Sequence, residues 1–115
     1  MIILYGIKNC DSCQKAKKWL ISNKIEFKYH DFRNHGLTEK LLRLWLTVID
    51  WELLLNKRSA TWRGLPEDYK NQIDGKTCID YFIKQPTLIK RPIIKDGQSI
   101  IIGYKPDVYQ LKLNP

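Results

Sequence analysis

The chain has 115 residues, enough for one ordinary domain with little room for a second. Hydrophobic residues make up 43% and charged residues 28%, with four Trp, six Tyr and three Phe as bulky core material, so a chain disordered throughout is excluded. Twenty Lys and Arg against twelve Asp and Glu give a net charge of +8, which favours anionic partners, yet the cations are scattered and no long basic run marks a nucleic-acid stripe.

No apolar stretch approaches the roughly 20 residues a bilayer span needs. The opening MIILYGIKNC has no basic segment before its apolar run and no small-residue cleavage site, so a cytoplasmic address is expected. Ile2-Ile3-Leu4-Tyr5 is short, apolar and β-branched, and reads as a buried, central, parallel strand. Gly6 to Asn9 form a loop. A helix is predicted from Asp11 to about Asn23, with Cys13, Ala16 and Leu20 on one apolar face and Trp19 beside them. Ile25, Phe27 and Tyr29 alternate with Glu26, Lys28 and His30, the pattern of a half-buried strand, which turns His30 toward solvent. His35 before Gly36 reads as a turn residue. Strand, helix, strand closes naturally as a βαβ unit.

The middle changes period. Leu41, Leu42, Trp45, Leu46, Val48 and Ile49 form a wide helical stripe between about 38 and 49. Trp51 to Leu55 suggests a short helix. Pro66 suits the first turn of another, with Glu67 and Asp68 complementing its dipole. Thr77 with Asp80 resembles a capping box, and Ile79, Phe82 and Ile83 supply the next helix's face. Residues 37–86 therefore read as an all-helical insert. Strands return at Pro92–Lys95 and Ser99–Ile102 around Asp96-Gly97, a hairpin signal in which both turn positions would take positive φ. Pro106 starts a last helix through Leu113. The order βαβ, helices, ββα is that of an α/β, thioredoxin-like fold with a helical insertion: a core of about 1–36 and 87–115 in a single domain of 1–115.

Three cysteines, an odd number in a chain with no secretory signal, argue against a disulfide framework. Cys10-Asp11-Ser12-Cys13 is a C-x-x-C without a second pair, and neither Cys78 nor His30 and His35 complete a zinc spacing, so a redox pair is the stronger reading and no metal is expected. Cys10 falls between the first strand and the first helix, where free N–H groups and the helix dipole lower a thiol's pKa. Lys8 and Lys17 would add positive charge. Cys13 lies one turn into the helix, either as a redox partner or as a small core residue. Cys78, beside Ile79, reads as a buried structural cysteine. Trp62 and Arg63 are candidates for lining a cleft, although Trp62 equally suits a core anchor.

Tyr5-Gly6-Ile7-Lys8-Asn9-Cys10-Asp11, Lys15-Ala16, Leu55-Asn56-Lys57-Arg58, Thr61-Trp62-Arg63, Ile89-Lys90-Arg91-Pro92 and Gly103-Tyr104 together resemble the arsenate reductase (ArsC) family. The resemblance runs over nearly the whole chain. It is nearest the YffB-like branch, with the Spx-like branch, which shares the C-x-x-C, as next neighbour. It implies that Cys10 is the nucleophile, that Arg58 and Arg91 bind an oxyanion beside it, and that Arg91-Pro92 is a cis bond next to the thiol. Two departures stand out. Lys105 occupies the place of a third arginine of arsenate reductases, and Gly6 replaces a histidine four residues before the nucleophile. Lysine keeps the charge but loses the planar fork, which weighs against arsenate as natural substrate.

The leading expectation is thus a thiol-dependent oxidoreductase. It holds no bound cofactor and uses glutathione as co-substrate, with glutaredoxin as a further candidate partner. Cys13 or an external thiol resolves the intermediate. The alternative is an Spx-like redox regulator that binds RNA polymerase. A third reading is a scaffold that kept the fold and lost the chemistry.

Overall fold

The computed structural model describes residues 1–113; Asn114 and Pro115, included in the expected range 1–115, lie outside the described residues. Two compact units are formed, one by residues 1–36 with the segment from Arg91 onward, the other by 37–90.

The first unit is built on a four-stranded sheet. Its strands are β1 (Ile2–Gly6), β2 (Phe27–Asp31), β3 (Ile93–Asp96) and β4 (Ser99–Ile102), ordered β2-β1-β3-β4. β1 is central, as its apolar run predicts. It is parallel to β2 but antiparallel to β3, so the sheet is mixed rather than parallel around it. The reason lies in the connections: the helix α1 (Asp11–Ser22) crosses over to β2, whereas β3 returns from the other unit and folds back as a hairpin onto β4. This is the thioredoxin-like arrangement.

Leu4, Ala16, Leu20, Ile94, Ile101, Tyr109 and Leu113 make one buried core, with Trp19, Phe27 and Tyr29 packed at its margin. The 3.6-residue spacing of Cys13, Ala16 and Leu20 brings all three onto the buried face of α1. The last helix, α8 (Pro106–Lys112), starts at the proline that marks it in the sequence. Its buried Tyr109 hydroxyl donates to the Gly103 carbonyl at 2.5 Å.

Three local expectations are corrected in this unit. The hairpin register pairs Asp96 with Ser99, which leaves Gly97 and Gln98 as the turn. Only Gly97 has positive φ (61°), the pattern of a turn with glycine first, so Asp96 closes β3 instead of entering the turn. His35 ends a short helix, α2 (Phe32–His35), capped by buried Asp31, whose Oδ1 accepts from the N–H groups of Arg33 and Asn34 at 2.7 and 3.3 Å. His30 is half-buried rather than solvent-facing: its Nε2 lies 2.7 Å from the Gly36 carbonyl oxygen, and its ring sits 4.9 Å from that of Tyr5. Alternation along β2 gives its face, but not the α2 turn that folds back over it.

The second unit contains α3 (Glu39–Leu46), α4 (Trp51–Leu54), α5 (Ala60–Arg63), α6 (Glu67–Gln72), α7 (Cys78–Lys84) and a 3-10 turn at Pro86–Leu88. Thr38 caps α3 by accepting from Leu41 N–H. Buried Leu42 and Trp45 of α3 face α7, whose Cys78, Ile79 and Phe82 are buried, while Ile83 is exposed. Cys78 is fully buried, in keeping with a structural role. The expected capping box at Thr77 is absent. Thr77 instead donates its hydroxyl to the Gln72 carbonyl, and Asp74 Oδ1 accepts from the N–H groups of Lys76 and Thr77 at 2.9 Å each. Asp74 outcompetes Asp80 because it precedes the helix and can reach the free N–H groups. Leu55 and Ile89 form an antiparallel bridge, the one non-helical pairing among the described residues of this unit.

Leu20→Ala should cost about 2–5 kcal/mol in chemical denaturation, whereas Leu111→Ala on the exposed side of α8 should stay within about 0.5 kcal/mol. Equal losses at the two positions would misplace the core.

Candidate active site

β1 stops at Gly6. The chain then loops through Ile7, Lys8 and Asn9 to Cys10, which sits in extended conformation (φ −126°, ψ 118°) as the N-cap of α1. Its carbonyl accepts the first helical hydrogen bond, from Gln14 N–H at 3.0 Å. The sulfur is thus delivered to the end of a 12-residue helix where N–H groups lack helical partners. Cys10 is half-buried and Cys13 fully buried; both are free thiols.

The two sulfurs are driven apart in acidity. Burial opposes ionisation of Cys10, but hydrogen bonds from the Cys13 thiol, the Ser12 hydroxyl, the Cys13 N–H and the Arg91 side chain outweigh it, and the thiol titrates below its ordinary range. Burial and the hydrogen bond it gives to Cys10 push Cys13 up to about 12, against the opposing pull of the Ile7 N–H and the Arg91 charge. Of the two thiols, Cys10 is the more readily ionised.

Arg91, Pro92 and Lys105 belong to the same unit. The Arg91–Pro92 bond is cis, and Pro92 is buried. Arg91 reaches Cys10 with its side chain and Ser12 with its backbone, since the Ser12 hydroxyl donates to the Arg91 carbonyl at 3.3 Å. The cation favouring the thiolate is therefore Arg91, not Lys8 or Lys17. Lys17 Nζ instead lies 5.2 Å from the centroid of the Tyr29 ring, and Lys8 offers its carbonyl to the Gln14 side chain. Lys105 is exposed at the N-cap of α8. Arg58 lies in the second unit, exposed in the turn between α4 and α5, its N–H donating to Asn56 Oδ1 at 3.1 Å. Thr61, Trp62 and Arg63 form α5 in that unit, with Lys57 and Lys70 ammonium groups 5.9 and 5.7 Å from the Trp62 ring.

Ser12 and Tyr29 near Cys10 escaped the sequence reading, and Gly6, noted there as a departure, has a steric role. Ser12, inside the C-x-x-C, has its Oγ 3.4 Å from the Cys10 sulfur. Gly6 is held small by its neighbour: a Cβ there would stand 2.7 Å from the Cys13 sulfur. Tyr29 brings its buried hydroxyl to the same place, 3.6 Å from that Cβ position, and burial with the charges of Asp31, Cys13 and Cys10 pushes its pKa up to about 12. A β2 tyrosine two residues before a buried aspartate carries no signal in sequence. The signal for Ser12 was present, a hydroxyl between two cysteines at a helix start.

Among the described residues no cluster of histidine, cysteine and carboxylate side chains could hold a metal ion, and no helix is long and apolar enough to cross a membrane.

A family model described as the ArsC family matches residues 5–111. An uncharacterized protein of Haemophilus influenzae is 47% identical over 110 residues, covering 96% of each chain. The global transcriptional regulator Spx of Lactiplantibacillus plantarum is 34% identical, covering 93% of this chain and 82% of its own. A solved YffB protein superposes with a TM-score of 0.92 at 36% identity, covering 98% of this chain and 99% of that one.

Alkylation followed against pH should place the Cys10 midpoint below the free-thiol value of about 8.5, with reactivity rising as pH increases through it. Cys13 should stay unreactive up to strongly alkaline pH. A Cys10 midpoint at or above that of free cysteine would refute the electrostatic account. Gly6→Ala should force the Cys13 sulfur aside and destabilise the fold by about 1–3 kcal/mol in denaturation.

Proposed function

Because the chain belongs to the ArsC family, we propose that it is a thiol-dependent oxidoreductase in which Cys10 is the nucleophile and Cys13 the resolving thiol. The observation that carries this reading is the placement of two free cysteines one helical turn apart at the start of α1, surroundings that lower the Cys10 pKa and raise that of Cys13. A nucleophile must be a thiolate at working pH, and a resolving thiol must not compete with it.

The Cys10 thiolate attacks one sulfur of an oxidised substrate R–S–S–R′. A Cys10–S–S–R bond forms, the original bond breaks, and R′S⁻ leaves and takes a proton. Bonding to R removes the charge on Cys10, so the part of the Cys13 shift that comes from Cys10 is relieved while that from burial remains. Cys13 then loses its proton, attacks the Cys10 sulfur and expels RS⁻. The substrate disulfide has gained two electrons and the dithiol has become a Cys10–Cys13 disulfide. Two equivalents of glutathione, themselves oxidised to a disulfide, return the pair to dithiol; glutaredoxin is an alternative reductant. Arg91 holds an anionic group of the substrate beside the sulfur, and the resemblance to the family implies an anion-binding role for Arg58. Glutathione carries two carboxylates and suits such cations better than a neutral thiol would. Arsenate is the weaker candidate, since Lys105 lacks the planar fork of a third arginine and Gly6 replaces the histidine.

A second reading is favoured by the likeness to Spx together with the intact C-x-x-C: oxidation of Cys10 and Cys13 would then switch binding to RNA polymerase. A panel of arsenate, a glutathionylated peptide and a small disulfide separates the readings. Turnover of a thiol substrate that is lost in Cys10→Ser supports the enzyme. No turnover in the panel, with oxidation-dependent capture of the polymerase α subunit, supports the regulator.

Within the enzymatic reading, Cys13→Ser should accumulate a stable adduct of one glutathione on Cys10, seen by intact mass. Arg91→Ala should lower kcat/KM about tenfold to a hundredfold, the loss of one charge-assisted pair, and Arg91→Lys should recover little of it. Wild-type efficiency in both Arg91→Ala and Arg58→Ala would remove the anion clamp.

A further inference from the structure

Ser12 occupies the second position of α1, and its oxygen stands between two acceptors. It is 3.4 Å from the Cys10 sulfur and 3.3 Å from the Arg91 carbonyl oxygen. A serine hydroxyl has one proton to donate and lone pairs with which to accept. The Arg91 carbonyl can only accept. While Cys10 is a thiol, both contacts are satisfied by one ordered chain: the Cys10 S–H donates to Ser12, and the Ser12 O–H donates to Arg91. Once Cys10 loses its proton, that chain has no proton left for the sulfur, and a lone pair of Ser12 faces an anion. Turning the hydroxyl replaces this repulsion with a charge-assisted O–H···S⁻ bond, roughly twice as strong as the neutral bond it gives up. The turn moves a hydrogen and no heavy atom.

We propose that the Ser12 hydroxyl is a two-position proton switch, donating to the Arg91 carbonyl while Cys10 is a thiol or a mixed disulfide and to the Cys10 sulfur while it is a thiolate. The switch stabilises the nucleophile only while Cys10 can attack. Arg91 thus presents its cation to the thiolate and its carbonyl to the switch. The other titratable or charged groups at the site are Cys13 from α1, the Arg91 side chain before β3, and Tyr29 from β2, which itself feels Cys10, Cys13 and Asp31. Cys13 and Arg91 also donate to the Cys10 sulfur, but neither stands within the Ser12–Arg91 carbonyl contact, and Tyr29 has its hydroxyl buried against Gly6.

The proposal rests on Cys10 acting as a thiolate, and the test separates the two claims. The backbone carbonyl ¹³C resonance of Arg91 is followed by NMR in the full chain as pH is raised, and the Cys10 midpoint is measured independently by iodoacetamide alkylation. In the wild-type chain the Arg91 resonance should move with the Cys10 midpoint. In Ser12→Ala the midpoint should rise, alkylation at neutral pH should slow about fivefold to tenfold, and most of the Arg91 movement should vanish. Ser12→Thr keeps the hydroxyl and should restore both. An Arg91 carbonyl that moves equally with and without the hydroxyl, or an unchanged Cys10 midpoint in Ser12→Ala, overturns the switch. Should Ser12→Ala fail to fold, the wild-type titration decides alone, since an Arg91 resonance that stays still while Cys10 ionises also overturns it. A wild-type midpoint at or above that of free cysteine defeats the nucleophile reading, whatever Arg91 does.

Discussion

The site depends on a single constraint: burial at the start of α1 opposes a negative charge on either sulfur, and the groups that offset it act mainly on the outer one. Burial penalises ionisation of both Cys10 and Cys13. Hydrogen bonds from Cys13, Ser12 and Arg91 offset it at the outer sulfur, while the inner one is pushed up by its burial and by its bond to Cys10. Two identical side chains three residues apart thereby become an attacking group and a waiting group. No difference in their intrinsic chemistry is needed.

The fold maintains that asymmetry through close packing. Gly6 ends the central strand directly under Cys13, and the missing Cβ lets the inner sulfur approach the β1 backbone, where the Ile7 N–H reaches it. The buried face of α1 continues from Cys13 through Ala16 and Leu20 into the main core. A substitution in that core would tilt the helix that aims both sulfurs, so stability and reactivity share residues here. A histidine at position 6 could not enter without expelling Cys13, so the glycine and the second cysteine of the C-x-x-C belong together. This gives the departure at Gly6 a steric reason that does not depend on any substrate.

Much of this was legible from local pattern. β1, α1, β2, the hairpin and α8 follow from apolar runs, 3.6-residue spacing and proline or glycine punctuation, each a signal contained within about a dozen residues. The mixed sheet was not legible from β1, because strand direction beside it is decided by a segment some ninety residues later. The turn at Gly97-Gln98 and the cap at Asp74 went astray because two adjacent residues competed for one role, and register or reach chose between them. Cys10, Cys13 and Arg91 were accessible through motif and resemblance. Ser12 and Tyr29 were not singled out, since their importance is a matter of distance to a sulfur and to a carbonyl rather than of residue type.

Arg91 is where these arguments meet. Its guanidinium favours the Cys10 thiolate, and its carbonyl accepts from Ser12. A lysine there would retain the charge, but as a compact ammonium on a flexible stem it would not hold a planar anion in a fixed orientation. Lys105, exposed at the start of α8, offers that flexible kind of charge. Under the oxidoreductase reading, orientation of the substrate falls to arginine, and lysine adds only a diffuse attraction that salt will screen. Such a division suits a substrate whose reacting sulfur is positioned by an anionic group at some distance from it. It suits a tetrahedral oxyanion less well, because there the group being held is also the group being attacked.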